Sequence, residues 1–141
     1  MEQKKTENET KKEYLQSYRD AMIAETKIKE EIDQLRMDKM FPGLVQDGMP
    51  HGSGGSDLSA YAAKLDELLN DLKDQMDKRI QLRREIIKKI EAMDNETEKA
   101  VLRYRYIHML KWEEIKERLH MTSLRYVFKV HGRALNNFRY P

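Results

Sequence analysis

The residues best suited to chemistry stand near the end of the chain. From Arg118 to Pro141 there are five cations, Arg118, Arg125, Lys129, Arg133 and Arg139, and no carboxylate, the last acid being Glu117. Tyr126 and Phe128 are interleaved with them. Cations spaced along a helix attract phosphate, and an arginine can also hold a guanine edge through two parallel hydrogen bonds. Other combinations lead nowhere comparable. His51 lies in a glycine-rich stretch, His108 at a helix end, His120 in a connector and His131 near the core of the last helix. No two of them share a face with a carboxylate at metal-ligand spacing. Asp71, Asp74 and Asp77 are three apart, but Lys73, Lys78 and Arg79 surround them, which describes a solvated helix face. The chain has no cysteine, so disulfides, thiolate zinc sites and cysteine nucleophiles are excluded. No catalytic residue, metal or cofactor is expected.

The elements that must position the cations are short helices. Asp94-Asn95-Glu96-Thr97 is rich in N-cap residues and opens a helix through Val101, Leu102, Tyr104 and Ile107. A break follows at His108-Met109-Leu110-Lys111. Trp112–Leu119 is a two-turn helix with Trp112, Ile115 and Leu119 on one face, which makes Trp112 a core residue. Its first turn carries acids, as the helix dipole favours. His120-Met121-Thr122-Ser123 is a tight connector, with Thr122 or Ser123 as the next cap. The last helix, about 124–138, buries Val127, Val130 or His131, Ala134, Leu135 and Phe138. It leaves Arg125, Tyr126, Phe128, Lys129, Gly132 and Arg133 outward. A short helix, a connector and a longer basic helix form a helix-turn-helix arrangement, in which one helix braces the next so that its first turns enter a major groove.

The remaining two thirds read as simple long helices. Only 39% of the 141 residues are hydrophobic and 37% are charged, with a mean hydropathy of −0.89. Such a composition favours helices with narrow apolar stripes over one deep core. Residues 1–40 carry Leu15, Tyr18, Met22, Ile28, Ile32 and Leu35 on one stripe, with Ala21 and Glu25 filling a gap, and the first dozen residues are expected to fray. Residues 41–56, FPGLVQDGMPHGSGGS, hold five of the six glycines and two of the three prolines and read as a linker. A second helix over 57–93, capped by Ser56 or Asp57, runs Leu58, Tyr61, Leu65, Leu68, Leu72, Met76, Arg79, Arg83, Ile86, Ile90, Met93. The fold expected is all-α: two long amphipathic helices in a coiled-coil-like hairpin, then a C-terminal helix-turn-helix domain over 94–141. That last region holds 10 Lys/Arg against 6 Asp/Glu, whereas residues 1–57 hold 9 against 12. No run of 18 apolar residues would span a bilayer, and MEQKKTENETKKE lacks the apolar region of a signal peptide. The reading is cytoplasmic, with no membrane partner.

Val101-Leu102-Arg103-Tyr104-Arg105-Tyr106-Ile107, WEEIKERLHM and VFKVHGRAL stand in the order found in region 4 of bacterial sigma factors, which this part of the chain resembles. The whole layout is similar to phage-encoded sigma-like regulators of the ArpU and RinA type. The resemblance implies a late-gene transcription activator that binds promoter DNA and contacts the host RNA polymerase. The chain departs from sigma factors in a longer connector, in Lys111 at the start of the short helix, and in Leu124 and Phe128 where polar residues are common. It also lacks a promoter-melting region, so an activator fits better than a complete sigma factor. Arg125, Tyr126, Phe128 and Lys129 are the expected groove-facing set, and Arg133, Arg103, Arg105, Thr122 and Ser123 the expected phosphate contacts. The long helices are the expected route to a homo-oligomer. Rival readings are a small DNA-packaging (terminase-type) subunit and a coiled-coil adaptor protein.

Overall fold

The computed structural model describes residues 5–41 and 54–141, and every element in them is helical. The helices are α1 (Glu7–Met40), α2 (Gly54–Glu91), α3 (Glu96–Leu102), α4 (Trp112–Arg118) and α5 (Leu124–Asn137). A five-residue π-helical turn, Arg103–Ile107, extends α3 directly. Most of the linker expected over 41–56, His51 included, lies outside the described residues. α2 begins at Gly54, so Asp57 stands within its first turn, and the Ser56 side chain lies outside what is described. Among the described residues no helix is long and apolar enough to cross a membrane.

The chain divides into two compact units. One unit joins the residues up to Ala21 to Arg79–Pro141; the other is Met22–Lys78. In the first unit, Leu15 and Tyr18 of α1 and Ile86, Ile90 and Met93 from α2 and its end form one buried cluster with Leu102, Tyr106, Ile107, Ala134, Leu135 and Phe138. A second cluster, Val101, Ile115, Met121, Val127 and Val130, fixes α4 against α5. α3 and its π-helical extension supply residues to both.

Of the first dozen residues, expected to fray, 1–4 lie outside the described residues, and the rest lead into α1 at Glu7. Lys11 is buried, its ammonium donating to the carbonyls of Leu135 at 2.9 Å and Asn136 at 3.4 Å. Those are orphan carbonyls at the end of α5, where a cation also opposes the helix dipole. The inward seam of α1 runs Tyr18, Ala21, Glu25, Ile28, Ile32 and Leu35, alternating steps of three and four; Ile28 and Leu35 are half-buried, the others buried, and Met22 is left exposed. Spacing explains this: Met22 to Ile28 is a step of six, which no heptad seam contains.

In the first unit the Lys89 ammonium lies 5.2 Å from the centre of the Tyr14 ring; in the second, that of Lys39 lies 5.7 Å from Tyr61. In the second unit the end of α1 thus meets the start of α2, so the two run antiparallel there. The second unit is thin. Ile32 and Leu68 are its buried aliphatics, and Glu25 is buried with Lys29 at 3.4 Å.

Candidate nucleic-acid interface

α5 owes its start to Ser123, which has extended backbone and whose hydroxyl accepts the N–H of Tyr126 at 3.1 Å. Ser123 is therefore the cap, while Thr122 is exposed beside it. The connector before it is a Schellman turn. His120 is in the left-handed region (φ 52°), its N–H bonds to the carbonyl of Glu117 at 3.2 Å, and that of Met121 bonds to Lys116 at 2.9 Å. Met121 then packs with Ile115, the apolar contact that accompanies this motif. α4 is thus held rigidly before the first turn of α5.

Around α5, Val127, Val130, His131, Ala134 and Leu135 are buried. Arg125, Tyr126, Phe128, Lys129 and Arg133 are exposed, as the periodicity requires. Among the described residues, no carboxylate lies within ion-pair distance of Arg125, Lys129 or Arg133. Gly132 sits between the last two, and a Cβ added there would meet nothing within 4 Å. The inward packing does not demand a glycine, so the bare backbone is free for close approach from outside. Phe128 is not an isolated ring: its centroid lies 5.3 Å from that of Trp112, edge to face.

Arg105 and Arg103 do not join this face. The Arg105 guanidinium lies 4.2 Å from the Trp112 ring centre and donates to the carbonyl of Leu110 at 3.1 Å. It braces the break before α4, where Met109 takes a positive φ of 56°. Trp112 itself is half-buried, edge-on to both Phe128 and His131, where a core residue was expected. Arg103 pairs with Glu91 at 3.2 Å. Near it, His108 has its pKa lowered, first by burial and then by Arg103, Arg83 and Arg118. Lys11 and Lys12 were missed in sequence because a polar N-terminus carries no stripe of its own. The only signal was that Lys11 and Tyr14 continue the three-four spacing of the α1 seam.

Behind the exposed face, the Tyr106 hydroxyl and His131 Nε2 are 2.8 Å apart and buried. Burial pushes the Tyr106 hydroxyl up to about 12, so it donates and the neutral ring accepts. The His131 pKa falls to about 4 from its ordinary 6.5, first through burial and then through Lys12 and Arg105. Between those values the unfolded chain binds a proton that the folded chain refuses. His131 therefore contributes full stability above pH 6.5 and loses it as pH falls toward 4. Urea unfolding should show a loss of about 2–3 kcal/mol from this residue by pH 4.5. The measure is the difference between the wild-type chain and His131→Gln; equal acid sensitivity in the two would show that the ring is not held neutral.

Among the described residues, no three His, Asp or Glu side chains are placed to hold a metal ion. No family model, curated protein or solved structure matches the chain.

Proposed function

We propose that the chain is a sequence-specific regulator of transcription that binds duplex DNA through α5. On the resemblance to sigma region 4, it acts as a phage late-gene activator of the ArpU and RinA type, working on DNA in the bacterial cell and touching the host RNA polymerase. The observation that carries the DNA reading is the outward side of α5. A 14-residue helix presents Arg125, Tyr126, Lys129 and Arg133 without a neutralising acid, and α4 holds its first turn through a rigid corner. Phosphate attracts such a face, and the first turns of a helix braced in this way are the part that reaches base edges. Arg105 is assigned a bracing role, and Arg103 belongs with Glu91.

Position along α5 separates reading from gripping. Arg125 lies in the first turn, and Arg133 lies two turns on, about 80° further round the axis. Arg125→Ala should cost about 1–3 kcal/mol in binding and flatten preference at one base position. Arg133→Ala should weaken all sequences alike and lower the salt slope by about one. A binding-site selection with each variant at fixed salt is the test. Base preference altered by Arg133→Ala and untouched by Arg125→Ala would mean that α5 docks in the opposite orientation.

A further inference from the structure

We infer that the hairpin of the second unit pairs with a second copy of this chain, α2 against α2, antiparallel and two-fold symmetric about Leu69. α2 is apolar over a wider arc than one neighbouring helix covers. Its hairpin side carries Tyr61, Leu65, Leu68 and Leu72, all buried or half-buried. About 80–120° further round from Leu68 lie Leu58, Ala62, Leu69 and Met76. Leu69 is 41% exposed and Leu58 56%; Ala62 is exposed and Met76 half-buried. In an antiparallel hairpin, this flank of α2 is the one on which α1 carries Met22 and Met40, also exposed.

The stripe has a symmetry that selects its occupant. Ala62 and Met76 stand equally far from Leu69 on either side, and so do Leu58 and Ile80. Laid antiparallel on a second copy, Leu69 meets its own counterpart and the small Ala62 meets the partner's Met76. Asp66 and Lys73 flank Leu69 with opposite charges, and neither has an ion-pair partner among the described residues. The same alignment sets Asp66 of each copy beside the partner's Lys73, so the surface is self-complementary in charge as an isologous interface requires. From Leu58 to Met76 the face is about 27 Å long and two helix diameters, about 20 Å, wide. Two copies would cover on the order of 1,100 Å² in total, enough for a specific interface.

This pairing needs no nucleic acid, and its failure would leave the DNA reading untouched. The full chain at about 50 µM should show twice its 16.9 kDa mass by light scattering. Leu69→Glu should return it to the mass of one chain with its far-UV helicity kept, since Leu69 is exposed. The chain has no cysteine, so single cysteines report the alignment cleanly. Leu69→Cys should cross-link with itself on oxidation, while Ala62→Cys should cross-link with Met76→Cys in a mixture and not with itself. A wild-type mass of one chain, a dimer indifferent to Leu69→Glu, or self-cross-linking of Ala62→Cys would overturn the inference.

Discussion

A fragment spanning residues 94–141 is expected to show no cooperative unfolding transition, although it contains the whole basic segment and all of α3, α4 and α5. Cutting at residue 94 removes Leu15, Tyr18, Ile86, Ile90 and Met93 from the cluster that buries Leu102, Tyr106, Ile107, Leu135 and Phe138. Each buried apolar side chain contributes about 1.5–3 kcal/mol. Their joint loss is on the order of 10 kcal/mol, close to the entire stability of an ordinary domain. The cut also takes Lys11 from the carbonyls that end α5. A chain in which a short glycine-rich turn replaces 22–78 keeps both halves of the cluster and should melt cooperatively. Thermal melts of the two chains followed by circular dichroism decide the matter. In the full chain, Phe138→Ala alone should cost about 3–5 kcal/mol, because the ring is 1% exposed and its site is walled by three helices. A cooperative melt of 94–141 at the temperature of the full chain would show that the shared cluster does not hold the unit together.

What the sequence makes legible is what local physics controls. Asn95 and Ser123 announce their helices because short polar side chains satisfy backbone N–H groups there: Asn95 accepts from Glu98 at 2.9 Å and Ser123 from Tyr126. The outward set on α5 follows from the 3.6-residue period once Val127, Val130 and Leu135 are assigned inward. The unit boundary is set by contacts distant in sequence, and nothing near residue 94 encodes them. Lys11 reads as a solvated cation until α5 supplies the carbonyls that its ammonium reaches. The brace that Arg105 forms was hidden for a related reason. Trp112 stands seven residues on, about 10 Å along a continuous helix, and the π-helical turn with the positive φ at Met109 brings the two side chains together. In α1, exposed Met22 beside buried Ala21 and Glu25 shows seam phase overriding side-chain hydrophobicity.

The largest effect on binding is expected from reversing the two cations that lie one turn apart on the outward side of α5. Arg125→Glu with Lys129→Glu should weaken duplex binding on the order of 10²–10³-fold, since it removes the arginine proposed to read a base and turns phosphate attraction into repulsion. Both side chains are exposed, so the fold should be unaffected and the melting temperature should hold. The direct measurement is duplex binding by fluorescence anisotropy across a salt series, for the wild-type chain and this double variant. The wild-type chain should give a log–log slope of roughly −3, matching the cations Arg125, Lys129 and Arg133 of α5. The folded variant should bind far more weakly, with a slope shallower by about two. A wild-type slope near zero, or a folded variant that binds as well as the wild type, would contradict the assignment of α5 as the DNA-binding helix.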